Sequence, residues 1–233
     1  MSGDIRARLR TRADPARVPI LQRFFKTGPG EYGEGDVFAG ITVPDLRAVC
    51  RACRDAPTPE ILELLVSPVH EERLLALMLL VEAFKRGTDS TKRDIYRLYL
   101  ANTKFINNWD LVDSSAPQIV GAWLAGRSRA PLGRLARSSS LWERRIAIIA
   151  TLFFIRQDDL EETFRIADLL LADDHDLIHK AVGWMLREAG KRSPDAEREY
   201  LKTRYRRMPR TMLRYAIEKL PEAERRRYLA RTI

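Results

Sequence analysis

His70-Glu71-Glu72-Arg73-Leu74-Leu75-Ala76-Leu77, Trp142-Glu143-Arg144-Arg145-Ile146-Ala147-Ile148-Ile149 and Ile178-His179-Lys180-Ala181-Val182-Gly183-Trp184-Met185 resemble one another. Superposing them puts Arg73, Arg145 and Lys180 in one column. The first two are 72 residues apart, twice about 36, and the next gap is 35. A missing member then falls near position 109, where Trp109-Asp110-Leu111-Val112-Asp113 stands.

Around these segments almost everything reads as helix. The expected helices are 15–26, 44–55, 59–66, 70–86, 90–103, 106–114, 116–126, 130–138, 141–156, 159–172, 175–191, 194–206, 209–219 and 221–230. Pro15, Pro44, Pro59 and Pro194 sit where a first helical turn tolerates a residue without an N–H. Strand signals are nearly absent, and Phe38-Ala39-Gly40-Ile41 is expected in a loop within the Gly-rich stretch Thr27 to Val43. A helix pair about every 36 residues is the period of short HEAT-like repeats. One pair cannot bury its apolar face alone, so stacked pairs share a core and leave a curved surface. The expected fold is all-α, a HEAT-like helical repeat solenoid whose second helices line the concave side. No Pro-, Gly- or Ser-rich linker interrupts the chain, so residues 1–233 are expected to form a single domain.

At 45% hydrophobic and 31% charged, the 233-residue chain has ample apolar content for such a core. No window offers 18 apolar residues without a charge, so no membrane span is expected. Met1 to Arg12 is Arg-rich and lacks an apolar core segment, unlike a secretory signal. Two cysteines are too few for a disulfide framework, which points to a reducing compartment, the cytoplasm, or the nucleoid if the source is bacterial. The net charge of +9 is unevenly spread. Residues 1–30 carry +5, residues 31–186 carry −4 and residues 187–233 carry +8. Clustered cations suit a polyanion gripped along its backbone, and a concave face that binds nucleic acid is the favoured reading. Solubility alone is the other reading.

Trp109 and Asp113, at i and i+4, share one helical face. Arg145 lies one repeat on, and Trp184 follows Lys180 by four residues in the next. Two tryptophans, a carboxylate and an arginine could line a pocket that favours a cation. Equally, tryptophans at helical spacing pack in cores, Asp110 and Asp113 can cap or pair, and column Arg and Asp residues can form a structural ladder. Cys50-Arg51-Ala52-Cys53 and His175/His179 have zinc-ligand types but lie 121 residues apart, and buried thiols are the expected reading. His70 is expected as a cap or surface group. The Ser138-Ser139-Ser140 run is expected to cap the helix beginning near Leu141. No P-loop, dinucleotide fingerprint or nucleophile elbow is present, so no cofactor or metal is expected. Arg225-Arg226-Arg227 reads as a solvated face, or with Arg204, Arg206, Arg207, Arg210 and Arg214 as an added phosphate-binding surface.

Three motifs in order, Phe105 to Pro117, Leu141 to Ala147 and Lys180 to Glu188, resemble the AlkD family of HEAT-like DNA-alkylation-repair glycosylases, and Phe38 to Arg47 resembles its first-repeat signature. The likeness spans roughly residues 18–220. It implies hydrolysis of the N-glycosidic bond of cationic N3- and N7-alkylated purines in duplex DNA, with the base left stacked rather than flipped into a pocket. It further implies that Trp109 and Trp184 are the active-site tryptophans, Asp113 the essential aspartate and Arg145 a DNA-contacting arginine. Arg144, Lys180 and Arg187, in the same motifs, are expected at the DNA interface. Phe24 stands near where some relatives have tyrosine and Thr42 where some have glutamine, so both are expected near the DNA. A monomer acting on double-stranded DNA is implied. The rival classes are a catalytically silent binder of bent or branched DNA or RNA, and an ordinary protein-interaction scaffold.

Overall fold

The computed structural model describes residues 5–233; the start of the basic N-terminal stretch, residues 1–4, lies outside the described residues. The described residues form no strand, only an isolated parallel bridge between Val37 and Val69. They divide after Ser115 into two compact units. The first holds α1 (Ile5–Arg10), α2 (Val18–Phe24), α3 (Val43–Ala52), α4 (Thr58–Leu65), α5 (His70–Arg86), α6 (Asp89–Ala101) and nearly all of α7 (Trp109–Ala116). The second holds α8 (Ala122–Leu124), α9 (Ala130–Leu135), α10 (Leu141–Ala150), α11 (Leu152–Ile155), α12 (Glu161–Leu169), α13 (Asp176–Arg192), α14 (Pro194–Arg204), α15 (Arg210–Ala216) and α16 (Glu222–Ala230).

The four places marked by the repeat are the first turns of α5, α7, α10 and α13. Their starts are written locally. Thr42, Thr88, Ser140 and Ser193 precede α3, α6, α10 and α14, and each side-chain oxygen accepts an amide of the first turn. Pro44, Pro59 and Pro194 stand in first turns, where a missing N–H costs nothing. In the first unit α5 packs against α3, α4 and α6. It is apolar around most of its circumference, with Glu71 and Glu72 opening it and Lys85 and Arg86 closing it, which suits the helix dipole. In the second unit α13 packs against α10, α12, α14 and α15. Gly183 permits the last contact, since a Cβ there would stand 2.5 Å from the Met212 carbonyl oxygen.

The expected loop 38–41 is a loop, but a pinned one. Phe38 and Ile41 are buried, and the amides of Ala39, Gly40 and Ile41 all donate to the Glu71 carboxylate. Two differences from expectation have plain causes. Helix α1 was hidden among arginines, yet Ile5 and Leu9, one turn apart, are buried. The expected break between 114 and 116 is instead a widened π turn, Pro117–Gly121, continuing from α7. Pro117 has no N–H for the Asp113 carbonyl four residues back, and its ring forces the turn open.

One buried group opposes the fold. Glu197 of α14 is 3% exposed, and its Oε1 has no hydrogen-bond partner. Burial pushes its carboxyl up to about 8, only partly countered by Arg198. Such a group favours the folded state below its ordinary value of 4.5 and loses that contribution as pH rises through about 8. Glu197→Gln is therefore expected to stabilise the protein by about 2 kcal/mol at alkaline pH and by little at pH near 4. Paired thermal melts at the two pH values check this; equal shifts at both would contradict it.

Candidate functional site

In the first unit the site begins at the N-terminus of α7. Asn108, fully buried, precedes it. Its Oδ1 accepts the Trp109 amide at 2.8 Å, and its Nδ2 donates to Asp36 at 3.1 Å. This side chain fixes where the helix starts, and so where Trp109 stands. The half-buried indole stacks on Phe25 (ring centroids 5.5 Å apart, planes 20° apart) and meets the edge of Phe24 at 5.8 Å. Phe25 in turn stacks on Phe38 at 5.2 Å. Trp109 is thus backed by an aromatic layer without being submerged in it. Asp113, half-buried, follows one turn later on α7. Phe24 is 60% exposed at the end of α2. Thr42 caps α3, its hydroxyl accepting the Asp45 amide.

His70 is neither a cap nor a surface group. It is 2% exposed, with Nδ1 3.1 Å from Asp36 and Nε2 2.8 Å from Asp110. Asp36 also accepts from Arg73 at 2.6 Å. Arg73, first of the column residues, spends another amine on the carbonyls of Ser67 and Pro68. Arg73 thus serves the fold, though through a loop carboxylate and two carbonyls rather than through a column aspartate. Burial alone would disfavour a charged imidazole, but the Asp110 and Asp36 carboxylates outweigh it and raise His70 to about 9. Burial likewise opposes the Asp36 carboxylate, yet His70, Arg73 and Asn108 together hold it below its ordinary range. Sequence reasoning missed this cluster, and Phe25 with it. The one local signal was Asn-Asn-Trp-Asp, whose polar residues flank the tryptophan.

In the second unit the remaining expected residues lie on α10 and α13. Arg145 is 5% exposed and donates to the Leu177 carbonyl at 2.6 Å, bridging α10 to the start of α13. Arg144 pairs with Asp173 at 2.6 Å and donates to the Ser138 and Ser139 carbonyls. Lys180 pairs with Asp176 at 2.7 Å. Trp184 is half-buried, its indole N–H donating to Glu188 at 3.1 Å. Arg187 pairs with Glu218 and lies 3.7 Å from Glu188. Some C-terminal arginines are also paired, Arg204 with Asp168, Arg198 with Glu224 and Arg226 with Glu222.

The metal-type residues are dispersed. Cys50 is buried, and burial pushes its thiol up to about 11. Cys53, expected as a buried thiol, is only half-buried just past the end of α3. His175 caps α13 by accepting the Leu177 amide, and His179 bonds the Asp173 carbonyl. Among the described residues no group of three or more His, Cys, Asp and Glu side chains is placed to hold a metal ion. Nor, among them, is any helix long and apolar enough to cross a membrane.

Chemically, the first unit offers an indole face with a carboxylate one turn away on the same helix. Such a pair attracts positive charge. The sequence model of a family described as DNA alkylation repair enzyme matches residues 5–220. A solved structure, a predicted DNA alkylation repair enzyme from Enterococcus faecalis, shares the fold with a TM-score of 0.69 at 18% identity, covering 91% of this chain and 98% of its own. No curated protein matches the chain.

Proposed function

The chain belongs to the DNA alkylation repair enzyme family, and on that premise we propose that it is a DNA glycosylase that hydrolyses the N-glycosidic bond of cationic N3- and N7-alkylated purines in duplex DNA. The observation that carries the reading is Trp109 and Asp113 one turn apart on α7, with the indole backed by Phe25.

A purine alkylated at N3 or N7 is already positively charged and leaves without prior protonation. The difficult part is the oxocarbenium character that develops at the deoxyribose. Asp113, as a carboxylate, stabilises that charge and orients the attacking water. Trp109 packs against the sugar and the cationic base, and Trp184 supplies a second aromatic face. Arg145, buried and held on the Leu177 carbonyl, offers its positive charge to an adjacent phosphate rather than a free bidentate fork. Arg144, Lys180 and Arg187 add cationic contacts to the backbone, and Phe24 and Thr42 face the DNA from the first unit. One carboxylate is sufficient because the substrate brings its own activation. A site that leaves the base stacked sets no tight limit on adduct size, so bulky N7 adducts are included. The protein acts as a monomer in the cytoplasm, within base excision repair.

The test is release of N7-methylguanine from a labelled duplex by the wild-type protein. Release supports the reading; duplex binding without release replaces it with a non-catalytic nucleic-acid binder. Affinity for the duplex is also expected to fall roughly 10²-fold between about 50 and 200 mM salt if about four phosphates are gripped. A salt-independent affinity would remove DNA as the partner.

A further inference from the structure

Both neighbours of Trp109 in the chain are tied to one buried cluster. Asn108 donates to Asp36, and Asp110 meets His70 Nε2 at 2.8 Å, while His70 Nδ1 meets Asp36 at 3.1 Å. A neutral imidazole carries one N–H and would turn a lone pair on one of these carboxylates. Only the imidazolium donates to both. The ring packs against both Phe25 at 4.7 Å and Phe38 at 4.8 Å, which touch each other, and Phe25 is the ring on which Trp109 stacks. Arg73 on α5 and Asp36 in the loop before Phe38 complete the charges, so that two acids balance two bases while His70 is protonated. Glu71, also on α5, is turned to the Ala39–Ile41 amides. From the end of α2 comes the Phe25 ring. Loss of the His70 proton leaves an excess negative charge and Asp110 without its ionic link to the loop and α5.

We propose that His70 is a positioning residue for the reaction: its imidazolium, by bridging Asp36 and Asp110, sets the start of α7 and through it the placement of Trp109 and Asp113. The activity half of this claim rests on the glycosylase reading above. The device differs from a generic core contact in depending on one proton.

The experiment is histidine-ring NMR on the full chain across pH 5.5 to about 10, with Asp110→Asn beside wild type and excision kinetics on both. With three histidines in the sequence, His70 is readily distinguished. In wild type, His70 is expected to stay doubly protonated past neutral pH, and the Trp109 indole N–H signal to move with the same midpoint. In Asp110→Asn the midpoint is expected to drop towards 6.5. Its kcat is expected to fall roughly 10- to 100-fold at pH near 8 with KM unchanged, and to recover near pH 6, where His70 is charged again. Recovery at low pH is not what a merely loosened helix would show. An ordinary His70 midpoint in wild type, or a Trp109 signal indifferent to it, overturns the proposal. So does a variant with the wild-type kcat at pH 8. If the wild type releases no base, the glycosylase reading fails, and the coupling of the Trp109 signal to His70 still decides the structural claim.

Discussion

Asp113→Asn is expected to lower the rate of N7-methylguanine release by roughly 10²- to 10³-fold while changing affinity for the same duplex by no more than about twofold. The argument is electrostatic. Asn keeps the shape of Asp and one acceptor oxygen but removes the negative charge that the proposed reaction sets against the developing oxocarbenium ion. That charge exists only near the transition state, so the loss belongs in kcat rather than in KM. The half-buried setting on α7 matters as well, because a carboxylate partly shielded from water acts more strongly on a nearby cation than an exposed one. Single-turnover release from a labelled duplex, with affinity measured separately, makes the comparison. Undiminished release by the variant would remove Asp113 from the chemistry; a loss of release equal to the loss of affinity would make it a binding residue.

Asp36→Ala is expected to destabilise the protein by about 3–5 kcal/mol at neutral pH. The carboxylate is buried and serves three donors, His70, Arg73 and Asn108. Removing it leaves two buried cations with fewer partners, and an uncompensated buried charge costs far more than an exposed pair contributes. The pH dependence gives the prediction its signature. His70 titrates at about 9 when folded against an ordinary 6.5, so its contribution is fully present below about 6.5 and is lost as pH rises through about 9. The shift corresponds to about 3 kcal/mol. Wild-type stability should fall over that window, and the Asp36→Ala profile should be flatter. Denaturant unfolding followed by circular dichroism at several pH values tests this. A loss under about 1 kcal/mol, or parallel pH profiles, would show the cluster to be energetically idle.

The two predictions use residues of different legibility. Trp109 and Asp113 were visible because helix periodicity places i and i+4 on one face, and because the repeat spacing marks a helix near 109. Phe24 was visible only by resemblance, and its exposure beside Trp109 is a finding of the fold. His70 was misread because everything that gives it meaning is distant. Asp36 lies 34 residues before it, Asp110 lies 40 after it, and Asn108 reaches Asp36 across 72. A histidine at a helix start looks the same in sequence whether it faces water or two carboxylates. The same holds for Glu71, whose carboxylate gathers three amides of a loop about 30 residues earlier.

What the sequence determined by itself was therefore everything governed by near neighbours: an all-helical chain, the positions of its proline- and serine-marked helix starts, the period that relates α5, α7, α10 and α13, and the shared face of Trp109 and Asp113. These depend on backbone sterics, capping and a 3.6-residue period, all of which act within a turn or two. The tertiary structure decided which charges are buried and with whom, that a phenylalanine layer backs the tryptophan, and that the column residue Arg73 serves the fold. Those outcomes turn on desolvation and on pairing between segments far apart in the chain, where a charge takes its sign of effect from partners that only folding brings to it.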